Sequence, residues 1–220
     1  NGNPRDISSI SSRQKEYIYY VTKKLLDDTV RLWAEWHGEK AISDQRDAEL
    51  IENDEITIAG GEDGFAELLR NPNMYQKYKT QNQVLEEIID NGLCNIANEV
   101  GTQKIGNPYR EQDVYAVESW YSFNSLDDYE NNIISIENSY LGGPAATRKS
   151  ETSMSAYVAS KNSDLDAEIT KAISDARKAI RDIPAPFRDQ VTKGKVATID
   201  TAMDKLAELN KSLKKIKSVL

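Results

Sequence analysis

The side chains on which soft metal sites and nucleophile–base pairs rely are almost absent here. The chain has one cysteine, Cys94, and one histidine, His37, in 220 residues. A single cysteine excludes an internal disulfide, and neither Cys-x-x-Cys nor His-Glu-x-x-His is present. Zinc closed by this chain would have to rest on carboxylates, which suit harder cations. No serine shares a motif with a histidine that would serve as its base. There is no phosphate-cradling glycine loop, internal repeat or low-complexity tract. No run approaches the roughly 20 apolar residues of a membrane-spanning helix. Positive charge is short as well: 28 Lys and Arg face 36 Asp and Glu, a net charge of −8. That argues against nucleic acid, whose affinity comes largely from phosphate neutralisation. The sequence opens at Asn1 without a charged n-region or apolar h-region, so any export signal is expected to have been removed or to lie upstream.

What remains is a folded, helical composition. Hydrophobic content of 39% with 29% charge fits a globular chain rather than a disordered one. Apolar residues at steps of three and four predict a first helix over about 11–36. Ile18, Val21, Leu25, Leu32 and Trp36 form its stripe, Ser11-x-x-Gln14 fits a capping box and Gly38 a stop. Residues 39–64 read as a polar loop with a short helix near Asp44–Glu52, then a turn at Phe65–Arg70. A second long helix is expected from Asn73 to Val100, with Leu85, Ile88, Ile89, Leu93, Ile96 and Val100 inward and Gly101 at its end. Residues 102–124 show no sustained period and read as a loop, of a length that is unusual in a compact domain and often functional. Helices over 125–141, 163–183 and 189–219 follow. Leu165, Ile169, Ile173, Ala176 and Ile180 point inward on one; Val196, Ile199, Met203, Leu206, Leu213 and Ile216 on the next. No strand pattern emerges, so the fold class is all-α, an antiparallel helical bundle.

Local readings of the remaining conspicuous residues are structural. Cys94, beside Leu93, Ile96 and Ala97, reads as a small buried hydrophobe. Trp33 and Trp36 read as core or interface anchors, and Tyr17, Tyr19 and Tyr20 as flanking an interface. His37 lies in Trp-His-Gly-Glu, where Gly38 breaks the helix that would align two ligands. The sequon Asn210-Lys-Ser212 falls inside an expected helix.

The chemistry concentrates in Glu118-Ser-Trp-Tyr-Ser-Phe-Asn-Ser-Leu-Asp-Asp-Tyr-Glu-Asn-Asn-Ile-Ile-Ser135. Short polar side chains compete with the backbone for hydrogen bonds and are poor helix formers. Yet Asp128, Asn131, Asn132, Ser135 and Ser139 recur at helical steps on one face, opposite Leu126, Tyr129, Ile133, Ile136 and Tyr140. Two readings stand side by side. In one, Glu118, Ser119, Tyr121, Ser122, Asn124 and Ser125 line a cleft with that polar face. In the other, Ser125-x-x-Asp128 is only a capping box and Glu118 satisfies loop amides.

This block resembles the signature of the imelysin-like family, peptidase family M75. Gly101-Thr-Gln-Lys-Ile-Gly-Asn-Pro108 resembles a second family segment, and Tyr140-Leu-Gly142 closes the helix as in the family. The likeness runs over roughly 10–187; Trp120 stands where Pro is common and Tyr129 where Phe is common. The resemblance implies the C-terminal portion of an all-α protein of two bundles, exported to the periplasm or cell surface and associated with iron uptake. It places the site at Glu118, Ser119, Tyr121, Ser122, Asn124, Ser125, Asp128, Asn131, Asn132 and Ser135. It also implies an N-terminal portion, expected as partner, bearing a Gly-x-His-x-x-Glu metal motif that these residues do not contain.

Two functions follow as expectations. As a binding module, the amide- and hydroxyl-rich rim would recognise an iron species or an iron-uptake partner. As a metallopeptidase, the N-terminal portion would supply the ligands for iron or zinc, none coming from this chain. Asn and Ser position ligands but are weak general acids and bases, which favours binding.

Overall fold

A computed structural model of the chain describes residues 6–53, 62–72 and 78–220. The expected helix start at Asn73 and residues 54–61 of the expected 39–64 loop lie outside them. All regular structure among the described residues is helical, and it falls into two compact units, Asn1–Val84 and Leu85–Leu220.

The first unit is led by α1 (Ser12–His37). Its capping box is real: Ser11 Oγ accepts from Gln14 N, and Gln14 Oε1 accepts from Ser11 N at 2.9 Å. Gly38 ends it at φ +83°, where an added Cβ would lie 2.1 Å from the Glu62 carbonyl oxygen. Asp44 then caps α2 (Gln45–Glu52), and α3 (Gly64–Arg70) packs on α1 through Trp36 and Phe65. A small core forms from Ala34 and Leu50 with Val30, Ile42 and Ile51 around them. The expected α1 stripe is not buried: Ile18, Val21, Leu25, Leu32 and Trp36 are 44 to 65% exposed. The short helices α2 and α3 meet only the C-terminal part of α1, so its apolar face has no cover among the described residues of this unit.

The second unit is a four-helix bundle with α8 (Met154–Lys161) packed against it. Its first helix is one long rod: α4 (Gln81–Glu87, which begins in the first unit), a π-helical stretch Ile88–Cys94, α5 (Asn95–Glu99), a second π stretch Val100–Gly106, and α6 (Asn107–Glu111). The loop expected from residue 102 is therefore helical to Glu111. A π turn closes i→i+5 hydrogen bonds and so takes one residue more than an α turn. One residue is about 100° of helix rotation. Two such stretches turn the buried face out of its 3.6-residue pattern, which is why periodicity fails there. Gly101 ends nothing; it is where this rod meets α11 (Ala197–Lys214), since a Cβ there would sit 3.1 Å from Leu206 Cβ.

The other bundle members are α7 (Ser125–Leu141), α9 (Ser163–Arg181) and α11 (Ala197–Lys214). Neighbours run antiparallel. Glu130 near the start of α7 pairs with Arg177 at 2.9 Å and with Arg181 near the end of α9, while Tyr140 reaches back to Asp166 at 2.8 Å. Glu168 near the start of α9 pairs with Lys215 just beyond α11 at 2.7 Å. Asp90 on the first rod pairs with Lys217 at 2.8 Å, whereas Gly101 faces Leu206. The core is continuous. Tyr129, Ile133, Ile136, Tyr140, Ile169, Ile180, Ile199 and Ile216 are all fully buried, as are Ile89 and Val100. At about 1.5–3 kcal/mol for each large apolar side chain removed from water, these stripes dominate the driving force. Cys94 is buried, as its neighbours suggest, and Val196 and Met203 are half-buried.

The tail is segmented where one helix over 189–219 is expected. The structure has α10 (Arg188–Val191), a break through Gly194 at φ +75°, then α11 and a 3-10 turn Lys215–Val219. The α8 helix was not expected at all. It is capped by Ser153, whose Oγ accepts from Ala156 N at 3.0 Å, but its Met-Ser-Ala-Tyr-Val-Ala-Ser-Lys sequence has a weak apolar stripe.

Candidate functional site

Residues 112–124 connect the first rod to α7, and three of them are non-glycine residues in the left-handed region: Gln112, Ser119 and Phe123, with φ between 54 and 62°. Each such residue costs roughly 1–2 kcal/mol, so neighbouring contacts must hold it. Arg188 does much of this. Its guanidinium lies 3.8 Å from the Phe123 ring centre and 4.4 Å from that of Trp120, and Nη1 donates to the Trp120 carbonyl at 3.0 Å. The cation is thus sandwiched between two aromatic faces. Tyr115 stacks on Trp120 from outside at 5.7 Å.

Asp128, in the first turn of α7, gathers the polar side of the same loop. Its carboxylate accepts from Ser119 Oγ and, at 2.8 Å, from Asn124 Nδ2. Ser125 is buried, and its hydroxyl donates to the Glu118 carbonyl. This removes the capping-box reading. The N-cap of α7 is Asn124, and no side chain caps it by hydrogen bond. Asp127 and Asp128 instead set two negative charges in the first turn, against the positive end of the helix dipole.

The two sequence blocks meet at Lys104. Its ammonium lies 3.2 Å from the Glu118 carboxylate and 3.8 Å from that of Glu99. Its carbonyl accepts from the Tyr129 hydroxyl at 3.0 Å. Tyr129 is fully buried, and burial first, then the Glu118 charge, pushes its phenol well above the usual tyrosine range. It stays neutral and acts as a donor. Lys104 was not among the expected site residues. The signal was available, since it is the only cation in its block, but its spacing from Glu118 is invisible while 102–111 reads as loop.

The expected residues therefore divide. Ser119, Asn124 and Asp128 converge, and Glu118 joins them through Ser125 and Lys104. The rest do not line one cleft. Ser122 is exposed and donates to the Ser119 carbonyl at 3.3 Å. Asn132 donates to the Asp128 carbonyl at 2.7 Å, and Ser135 to the Asn132 carbonyl at 2.6 Å, both within α7. Asn131 is exposed, and Tyr121, 89% exposed, meets only the edge of Trp120. The result is a preorganised rim of donors and acceptors rather than an enclosed pocket.

Iron or zinc does not fit this donor set. The one imidazole, His37, is in the other unit, its ring 4.8 Å from that of Trp33. Among the described residues no three His, Cys, Asp or Glu side chains are grouped to hold a metal. No described helix is long and apolar enough to cross a membrane.

Comparison with known proteins gives this geometry a family. A family model described as imelysin, peptidase M75, matches residues 3–213. An imelysin peptidase from Bacteroides ovatus is 42% identical with a TM-score of 0.66, over 74% of this chain and 47% of that one. A Parabacteroides distasonis protein described as an iron-regulated protein A precursor is 31% identical, with a TM-score of 0.78, over 99% of this chain and 60% of its own. Iron-regulated protein A of Synechococcus elongatus is 30% identical over 144 residues, which is 63% of this chain and 38% of the relative. The chain thus spans between about two fifths and three fifths of the relatives it matches. With the match covering nearly its whole length, and both sequence blocks meeting at Lys104, the chain belongs to the imelysin family.

Proposed function

We propose that the chain is the C-terminal portion of an exported, iron-linked imelysin-family protein, and that it works as a ligand-binding module through the rim around Lys104, Glu118 and Asp128. One observation carries the reading: two of the three left-handed residues of the 112–124 connection, Ser119 and Phe123, are held by Asp128, Asn124 and Arg188 in a single shape. Backbone strain that the surroundings maintain clusters at functional sites. Amide and hydroxyl groups suit the outer atoms of a chelated iron species, whereas a bare ion needs the clustered ligands this region lacks. Two relatives are described as iron-regulated, one of them as a precursor, which supports the link to iron and export to the periplasm or cell surface. In this reading its partners are the N-terminal portion of the same protein and proteins of iron uptake.

A second reading rests on the Bacteroides ovatus neighbour being described as a peptidase. There the N-terminal portion would bring His and Glu ligands to iron or zinc, and the rim would orient substrate.

Equilibrium dialysis of the full-length protein against ferric citrate separates the readings. Glu118→Gln with Asp128→Asn is expected to cut iron capture at least tenfold while circular dichroism stays unchanged. Equal capture by the folded variant overturns the binding reading. Metal-dependent cleavage of casein without iron capture supports the peptidase reading instead.

A further inference from the structure

A groove of about 420 Å³ runs between the first rod and α11, lined at its floor by Ala97, Gly101, Leu206 and Ala207. It lies within the second unit and uses none of the rim residues. Its edges carry Arg110, Lys211 and Lys214 against one carboxylate, Asp204. In a chain of net charge −8 this is a local excess of cations. None of the three has a carboxylate within ion-pair distance among the described residues, whereas Lys205, Lys215 and Lys217 beside them are all paired. Arg110 is held in place without an anion: its guanidinium rests over Gly106, where a Cβ would lie 2.9 Å away, and Nη2 reaches Met203 Sδ at 3.9 Å.

Spacing selects the class of ligand. From Met203, beside Arg110, to Lys214 is about 16 Å along α11 at roughly 1.5 Å per residue. No small anion bridges that, but about five extended residues do.

We infer that this groove binds an extended acidic peptide segment of a partner protein. Its carboxylates pair with Arg110 at one end and with Lys211 and Lys214 at the other. Its backbone lies over the small-residue floor of Ala97, Gly101 and Ala207.

The probe is an acetylated, amidated eight-residue peptide alternating glutamate and alanine, titrated into the 220-residue chain by calorimetry. Saturable binding is expected. It should weaken at least tenfold in Lys211→Gln/Lys214→Gln and in Ala207→Trp, which fills the floor from an exposed helix position. Lys149→Gln/Lys195→Gln removes the same charge elsewhere and should leave binding within twofold. Circular dichroism and thermal melting check that each variant folds. Should the two double variants weaken binding equally, the attraction is non-specific and the inference fails. Should citrate bind as tightly as the peptide and be lost in Lys211→Gln/Lys214→Gln, the site takes small anions and the peptide assignment is wrong. Absence of saturable binding to the wild-type chain also overturns it.

Discussion

Replacing Tyr129 by phenylalanine tests whether the two sequence blocks are joined through its hydroxyl and the Lys104 carbonyl. The substitution keeps the ring, so the edge-on contact with Phe187 at 5.6 Å survives and no cavity opens. What disappears is the hydroxyl that donates to the Lys104 carbonyl at 3.0 Å. A net hydrogen bond is worth about 0.5–1.5 kcal/mol, and an acceptor left buried adds to the loss. Tyr129→Phe should therefore cost about 1–2 kcal/mol in urea unfolding at neutral pH, with an unchanged slope against denaturant. At about 2–4 °C per kcal/mol for a chain of this size, the melting temperature should fall by roughly 2–8 °C. A second signature comes with alkali. The Tyr129 phenol is raised in the folded state, so its contribution is fully present below the unfolded tyrosine value near 10 and is lost as pH rises toward the folded one. The gap between wild type and variant should narrow above about pH 10. Tyr129→Leu, which also removes the ring contact, should cost more than Tyr129→Phe. A phenylalanine variant within about 0.5 kcal/mol of wild type, the range of ordinary surface changes, would refute the joint.

Other outcomes follow from the same geometry. Gly92 is helical with nothing within 4 Å of an added Cβ, so Gly92→Ala should stabilise by about 0.5–1 kcal/mol. Gly142→Ala should destabilise, because it sits at φ +90° with Lys149 O 2.5 Å from the new methyl; paired thermal melts compare the two. Burial pushes the Glu137 carboxyl up, but Arg148 and Arg177 pull it further down, so the net shift is below the ordinary value of 4.5. Its stabilisation is present above that value and is lost as pH falls through the folded one. Glu137→Gln should cost about 1–3 kcal/mol at neutral pH and flatten the acid limb of an unfolding series. The exposed face of α1, with Tyr17 at 69% and Leu25 at 65%, should bind a hydrophobic dye or drive self-association of this chain. Leu25→Lys with Leu32→Lys should abolish either signal; a dye-silent monomer would contradict the exposure.

How much of this is legible in the residues depends on what each element answers to. The α9 stripe, Leu165 to Ile180, is buried as its spacing demands, because an ordinary α-helix obeys one period. The α1 boundaries at Ser11 and Gly38 are equally readable, since capping and left-handed backbone are local chemistry. Burial of the α1 stripe is not local; it needs a neighbour, and the described residues of its unit supply one only near Ala34. The 102–111 helix escaped because π turns carry no residue signature and shift the period. The polar block was findable by composition. Which of its groups converge was not, for Ser119 reaches Asp128 only through a left-handed backbone that no serine announces.

The doubled π geometry of the first rod has a consequence for comparing relatives. An extra residue in a helical turn is, in evolutionary terms, a tolerated insertion, and its removal restores an ordinary turn. A relative with a one-residue gap opposite 88–94 closes an ordinary turn and keeps the residue aligned with Lys104 on the same face, whereas a gapless relative with an ordinary α turn there would aim that residue about 100° away from the one aligned with Glu118. Alignment columns alone would score that relative as sharing the site. The hydrogen-bond pattern of the 88–94 turn, read together with its length, marks whether an aligned lysine can reach the aligned glutamate.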